Sequence, residues 1–338
     1  MTAHAHGQAL EDRAHAALGP WSAGAGGRFV EGVVSGKATL GRTTTIIRTV
    51  LPSLFLSLRP IQWAKNLFVL APAVFAGALE DPRLALAAAA AFVAFCALSS
   101  GVYLINDLVD RERDRLHPVK RLRPLAAGRL APSVAAASAG LLFAGSLAIS
   151  AWLSWHFLAI AGAYLGLNLL YSLALKHLVI VDVMAVAFGY VLRVMAGGVA
   201  VAVPVSDWLL LCTVFLALFL IVSKRRHELV SLADNPAGQR RVLTNYSRTF
   251  LDQMINVVTA STLLSYALYT TAPETQAKFG GRGFLYTIPF ALFGIFRYLY
   301  LTYQVEDARN PTETMLRDVP FLVNLALWGA AVVVIVYG

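Results

Sequence analysis

The residues best suited to chemistry lie at 106–114, where four acidic side chains follow the long apolar run 84–105. If one helix continues through this stretch, Asp107, Asp110 and Asp114 share a face, because their spacing of i, i+3 and i+7 matches a rotation of ~100° per residue, while Glu112 points away. Hard oxygen ligands suit Mg²⁺, which is often shared with substrate phosphates. The spacing therefore predicts a magnesium-diphosphate site, with Asn106 as a further oxygen donor. The alternative is a set of solvated charges paired with neighbouring arginines.

Basic side chains beside other apolar runs are candidates for phosphate binding. Lys65 precedes one run, where it is either an interfacial anchor or a phosphate ligand. Lys224 and Arg225 end another, and an arginine fork is suited to bidentate phosphate binding, although a basic cluster after a span also acts as a stop signal. Asp182 and Arg193 lie about three turns apart in one run, so either both line a polar cavity or each pairs with another helix.

The acidic motif and its surroundings resemble the first Asp-rich signature of the UbiA superfamily of intramembrane prenyltransferases. The resemblance covers about residues 55–337 and includes Arg59-Pro60 and Lys65 before the motif, and Lys120, Arg123-Pro124 and Gly128 after it. Most members carry a second Asp-rich motif after the sixth span, whereas this chain has Ser223-Lys-Arg-Arg-His-Glu228 there. A basic second motif resembles the branch of the superfamily that transfers phosphoribosyl groups. Segments 59–66, 182–198 and 310–320 are similar to that branch as well.

This resemblance implies a magnesium-dependent enzyme, with Mn²⁺ as an alternative metal, that moves 5-phosphoribosyl from 5-phosphoribosyl 1-diphosphate (PRPP) to a polyprenyl phosphate such as decaprenyl phosphate. Diphosphate leaves, and the product would serve cell-wall arabinan synthesis. The residues expected to act fall into three groups: catalytic Asp107, Asp110 and Lys65; metal-binding Asp107, Asp110 and Asp114; and substrate-binding Asn106, Lys120, Arg123, Tyr171, Lys176, Asp182, Arg193, Lys224 and Arg225.

Composition indicates a membrane protein independently of the motif. Hydrophobic residues make up 58% and charged residues 14% of the chain, against about 25% charged residues in soluble proteins. The expected fold is all-α, a polytopic membrane protein with about nine transmembrane helices around a central cavity, following a disordered arm at residues 1–50. Counting apolar runs places the spans at 66–80, 84–105, 131–150, 155–175, 179–201, 207–223, 252–272, 284–304 and 320–337.

Charge asymmetry predicts how these spans are oriented. The connections on one side carry sixteen Lys and Arg residues, and those on the other side carry three, Arg83, Lys278 and Arg282. Because positive loops stay in the cytoplasm, the N-terminus and the acidic motif are expected inside the plasma membrane and the C-terminus outside. Topology accounts for much of the formal net charge of +9, so no nucleic-acid partner is expected.

Three other functions compete with phosphoribosyl transfer. A prenyltransferase with an isoprenoid diphosphate donor and a small aromatic acceptor is the nearest, and the basic second motif argues against it. A cation-coupled or proton-coupled transporter would use Asp182 and Arg193 as its relay. A structural scaffold would leave the acidic motif unexplained. The sequence leaves self-association into a homo-oligomer open.

Overall fold

The computed structural model describes residues 50–117, 119–231, 241–304 and 314–338. The chain divides into two units, Met1–Ser53 and Leu54–Gly338. In the first unit only residues 50–53 are described, and they are helical. The predicted N-terminal arm thus lies outside the described residues, apart from residue 50, and its disorder stays a prediction.

Long helices and no strands make up most of the second unit within the described residues. Eight of the nine predicted spans correspond to these helices, and seven segments are long and apolar enough to cross a membrane. The all-α membrane fold is therefore confirmed. The helices are α1 Pro82–Val109, α2 Pro132–Leu153, α3 Trp155–Leu173, α4 Val181–Ala200, α5 Asp207–Ser231, α6 Arg248–Thr271, α7 Ile288–Tyr303 and α8 Val319–Tyr337.

The predicted span 66–80 differs from the structure, because it is not a single helix. A 3₁₀ helix, Pro60–Val69, is followed by the short helices Ala71–Phe75 and Ala78–Glu80. Pro72 lacks a backbone donor, and Gly77 has φ 71°, a left-handed conformation that suits glycine. These residues interrupt the segment, and the total of nine transmembrane helices stays a prediction.

Local sequence sets the starts of several long helices. Asp81 caps α1 by accepting a hydrogen bond from the Arg83 backbone N–H at 2.8 Å. Ser154 does the same for α3, where it accepts from the Phe157 N–H at 3.0 Å. Such caps satisfy backbone donors that the first turn leaves without partners.

One glycine brings α4 against the 3₁₀ helix Pro60–Val69. A Cβ on Gly197 would lie 1.9 Å from the carbonyl oxygen of Val69, so only glycine allows the two backbones to approach this closely. Phe68 on the 3₁₀ helix meets Tyr190 on α4 edge to face, with ring centroids 5.0 Å apart. This contact places Arg193, one turn before Gly197, against the same 3₁₀ helix.

Candidate active site

Two arginines hold the first carboxylate of the acidic motif. Asp107 is 3% exposed, and its Oδ1 accepts hydrogen bonds from Arg59 Nη2 at 2.5 Å and from Arg123 Nη1 at 3.0 Å. The same Arg123 nitrogen donates to Asp114 Oδ2 at 2.6 Å. Arg59 also lies 4.7 Å from the centre of the Tyr103 ring. Residues that are far apart in sequence thus converge on one buried acid.

The expectation that one helix runs through the acidic motif is wrong. Helix α1 ends at Val109, Asp110 caps it with φ −86° and ψ 3°, and a separate short helix spans Arg111–Arg115. Among the described residues, no three acidic, histidine or cysteine side chains are placed to share a metal ion. The predicted three-carboxylate cluster is therefore not formed. Its outer members, Asp107 and Asp114, meet through Arg123, and the Asp110 side chain contacts no other side chain in the described part of the chain.

Asn106 connects the motif to the end of α3. Its Oδ1 accepts a hydrogen bond from the Ser172 hydroxyl at 3.0 Å. Tyr171, the preceding residue, accepts a hydrogen bond from Arg225 of α5 at 2.9 Å. The end of α3 therefore lies between the acidic motif and the basic cluster that ends α5.

Arg225 forms the centre of a buried polar network. Its Nε donates to Asp182 at 2.9 Å, its Nη1 to Glu228 at 2.9 Å and its Nη2 to Tyr171. Asp182 is fully buried, and its other oxygen accepts from the Tyr246 hydroxyl at 2.8 Å. The guanidinium is thus occupied by protein partners. Its role in this geometry is to neutralise Asp182 and to hold three helices and the Tyr246 segment together.

Tyr246 is a site residue that the sequence did not reveal. It accepts the backbone N–H of Ile180 at 2.7 Å and donates to Asp182, so one hydroxyl organises the start of α4. Ile180 has φ 67°, which is unfavourable for a β-branched residue. Burial is the first cause that raises the pKa of Tyr246 to about 12, so the phenol stays protonated and keeps donating.

Arg193 lies in a second buried cluster, apart from Asp182. It donates to Asn66 Oδ1 at 2.8 Å, to the Gly189 carbonyl at 2.9 Å and to the Tyr164 hydroxyl at 2.7 Å. No carboxylate contacts this 5%-exposed guanidinium in the described part of the chain. The sequence left two arrangements open for Asp182 and Arg193, and the structure shows the second one. Each of the two residues binds a different helical segment. Asp182 and Arg193 share no hydrogen bond or ion pair, so a transporter relay between them would have no direct contact to use.

Lys65 is the residue that most clearly calls for an anionic ligand. It is half-buried and makes no hydrogen bond or ion pair with the residues that the structure describes. Burial first, and then the positive charges of Arg193, Arg59 and Arg225, lower the pKa of its amine from 10.5 to about 8. Several cations converge on a space to which a bound phosphate would bring the opposite charge.

The remaining predicted ligands have different surroundings. Lys224 Nζ lies 3.9 Å from Glu228 Oε1, so it shares that acid with Arg225. Lys176 is half-buried and contacts no side chain among the residues described. The backbone N–H of Lys120 donates to His117 Nδ1 at 3.2 Å, which fixes the turn after the acidic motif. The structure does not bring these three lysines to one atom.

Asn66 and Tyr164 also escaped the sequence prediction, although both hold Arg193. Asn66 is fully buried, and its amide donates to Ser99 at 3.2 Å and to the Cys96 sulfur at 3.3 Å. A buried amide inside an apolar run was the available signal, because polar groups at membrane depth need partners. Tyr164 gave no such signal, since tyrosine is common in apolar helices.

The acidic motif fits a magnesium ion that is bound by few protein ligands. Asp110 makes no side-chain contact with described residues, and the arginine hydrogen bonds to Asp107 and to Asp114 each use one carboxylate oxygen. Mg²⁺ is commonly held by one or two carboxylates together with waters and substrate phosphates. The donor set suits such a shared ion, whereas a site made of three protein carboxylates does not match the geometry.

The sequence of this chain is similar to those of several known proteins. A profile described as the UbiA prenyltransferase family matches residues 66–325. A protein of Corynebacterium glutamicum named decaprenyl-phosphate phosphoribosyltransferase is 36% identical over 287 residues, which are 83% of this chain and 86% of that protein. One of the same name from Mycolicibacterium smegmatis is 38% identical over 226 residues, 66% of this chain and 71% of its own length.

Solved structures show the same fold. A UbiA homolog from Archaeoglobus fulgidus bound to GPP and Mg²⁺ superposes with a TM-score of 0.63 at 18% identity, covering 85% of this chain and all of that one. The same homolog bound to Cd²⁺ gives a TM-score of 0.59, also at 18% identity, with 85% of this chain and 100% of that chain covered. At this level of identity the likeness extends to the fold alone.

Proposed function

This chain belongs to the UbiA prenyltransferase family, and on that premise we propose that it transfers 5-phosphoribosyl from PRPP to a polyprenyl phosphate of the decaprenyl type. The single observation that carries the proposal is the half-buried Lys65 amine, which has no hydrogen-bond or ion-pair partner among the described residues and lies next in sequence to Asn66, a ligand of Arg193. Burial, and then the charges of Arg193, Arg59 and Arg225, lower the pKa of this amine. Relatives named decaprenyl-phosphate phosphoribosyltransferase, 35–38% identical, support the same substrates.

Two polyanionic substrates explain why so many cations are needed. PRPP carries a 5-phosphate and a diphosphate, and the acceptor carries a phosphate of its own, so the two repel each other unless the protein supplies positive charge. Arg225 and Arg193 already have protein partners, whereas the Lys65 amine has none among the residues that the structure describes. Lys65 therefore binds a substrate phosphate directly, and Arg225 positions the residues around it.

The reaction breaks the bond between the anomeric carbon and the diphosphate oxygen, and a lipid phosphate oxygen forms the new bond with inversion. The sugar develops oxocarbenium character, as in other glycosyl transfers. Mg²⁺ or Mn²⁺, held by Asp107 and Asp110 with Asp114 and Asn106 nearby, would neutralise charge on the departing diphosphate. The acceptor needs no strong general base, because a phosphate monoester is already anionic at neutral pH.

The direction of the charge bias supports a cytoplasmic donor site in the plasma membrane. PRPP is a soluble, highly charged molecule, so the acidic motif has to face the compartment that contains it. The sixteen-to-three distribution of Lys and Arg supports that orientation, with the C-terminus outside. The phosphoribosylated lipid would then serve as a pentose precursor for cell-wall arabinan.

The test supplies purified protein in liposomes with radiolabelled PRPP and a polyprenyl phosphate. Labelled lipid and free diphosphate should form in equal amounts, and Lys65→Met should reduce both at least about tenfold, or ~1.4 kcal/mol. Lys278→Met is the matched control, because Lys278 is exposed and lies in the sparsely charged connection between α6 and α7.

A second assay separates the two enzyme classes. The same liposomes receive polyprenyl diphosphate and 4-hydroxybenzoate in place of PRPP and the lipid phosphate. Prenylated benzoate, with no labelled lipid from the first assay, would mean that donor and acceptor are assigned the wrong way round. Loss of activity in Lys278→Met equal to that in Lys65→Met would refute the role of Lys65.

A further inference from the structure

The segment that follows the acidic motif exposes apolar side chains outside any membrane-spanning helix. Leu116 is 87% exposed, Val119 67% and Leu122 66%. Apolar side chains on the spans themselves are exposed to acyl chains, but these three lie in the connection between α1 and α2. Exposed apolar groups that cluster in this way usually mark a surface that another phase or molecule covers.

The same segment has an inner side that belongs to the protein. Asp114 is 4% exposed and Leu125 1%, and Arg123 connects this side to Asp107. Backbone turns hold the outer residues, with the Leu122 N–H donating to the Val119 carbonyl at 3.2 Å. The buried residues of the segment are therefore fixed against the acidic motif, whereas Leu116, Val119 and Leu122 are left exposed.

Unpaired positive charges accompany the apolar side chains. Arg113 and Arg121 are exposed, and neither side chain contacts any residue in the described part of the chain. Arg115 and Arg129 differ, because both donate hydrogen bonds within the protein. Arg115 donates to Glu112 at 2.8 Å, and Arg129 donates to the Leu122 carbonyl at 2.6 Å. Two guanidinium groups thus stay available for an outside partner with negative charge.

We propose that Leu116, Val119 and Leu122 insert into the adjoining leaflet, with Arg113 and Arg121 bound to anionic phospholipid headgroups. The segment joins two membrane-spanning helices, α1 and α2, so both of its ends begin at the bilayer surface. Apolar side chains beside arginines are the composition that binds such an interface, and anionic lipids attract the basic residues. The leaflet thereby anchors the element that carries Asp114 and Arg123.

The first experiment places an environment-sensitive NBD label on Leu116→Cys or on Leu122→Cys in liposomes of phosphatidylcholine and phosphatidylglycerol. Brominated acyl chains should quench both labels and shift their emission to the blue relative to a label on Glu112→Cys, an exposed polar position in the same connection. The unsubstituted protein, labelled in parallel, corrects for Cys96 and Cys212. This readout does not depend on any enzymatic activity.

The second experiment tests the charges. Arg113→Gln together with Arg121→Gln should reduce quenching of the Leu122 label in vesicles containing phosphatidylglycerol, and raising the salt concentration should have the same effect. Labels whose emission wavelength is that of the fluorophore in water would overturn the proposal. Labels that are shielded from water but not quenched by bromine would overturn it too, because another protein segment or a second copy would then cover the surface.

Discussion

Replacing Arg225 by alanine should cost far more stability than replacing its neighbour Lys224. Arg225 is 4% exposed along its side chain and donates to Asp182, Glu228 and Tyr171. Its loss leaves Asp182 fully buried with one remaining hydrogen bond, from Tyr246. Removing one partner of such a buried pair costs about 3–5 kcal/mol, because an uncompensated charge stays behind.

Lys224 supplies the matched control. It lies one residue before Arg225, is 31% exposed, and its amine is 3.9 Å from Glu228. An ion pair of that kind is worth about 0–1 kcal/mol, so Lys224→Ala should leave the melting temperature nearly unchanged. Thermal unfolding of both variants in the same detergent gives the comparison.

Two further variants identify the origin of the loss. Arg225→Lys keeps the charge but lacks the planar fork, so it should regain only part of the stability. Adding Asp182→Asn to Arg225→Ala removes the buried charge and should raise the melting temperature above that of Arg225→Ala alone. Equal melting temperatures for Arg225→Ala and Lys224→Ala would refute the buried network as a source of stability.

Three other outcomes are expected. Asp110→Asn should lose at least about tenfold in turnover, or ~1.4 kcal/mol, with an unchanged melting temperature. Near-normal turnover of this variant would remove Asp110 from the metal site. A chelator should abolish the activity of the wild-type protein until Mg²⁺ or Mn²⁺ is added back. The value of kcat/KM for PRPP should fall as pH rises through about 8, where the Lys65 amine loses its proton, and Lys65→Arg should abolish that decline; an identical decline in both proteins would assign it to another group. Cysteine labelling should place Glu112, in the connection after α1, inside and residues 275–282 outside, and the opposite pattern would overturn the cytoplasmic donor site.

The helices could be predicted from sequence because their causes are local. Runs of about twenty apolar residues need a bilayer or a core, and caps such as Asp81 before Pro82 act within one turn. Eight predicted spans therefore match helices to within several residues. The broken first segment was missed, although Pro72 and Gly77 are local signals for such an interruption.

The candidate site shows the same division. The sequence singled out charged side chains such as Asp107, Lys65 and Arg225, because charged groups near apolar runs need a reason to be there. Their roles in the chemistry stay predictions. It also suggested three converging carboxylates, which required a helix that the structure ends at Val109. The structure instead joins Asp107 and Asp114 through Arg123, and periodicity alone carries no information about the break in the helix at Asp110.

Only the tertiary structure decided how the charges are paired. Arg59 reaches Asp107 across 48 positions of sequence, Arg225 reaches Asp182 across 43, and Arg193 reaches Asn66 across 127. The hydropathy of each helix is a property of its own residues, whereas the partner of a buried guanidinium depends on how several helices pack and rotate against each other. Sequence thus determined the spans and the supply of charged groups, and packing decided which buried guanidinium groups found protein partners and left the Lys65 amine without one among the described residues.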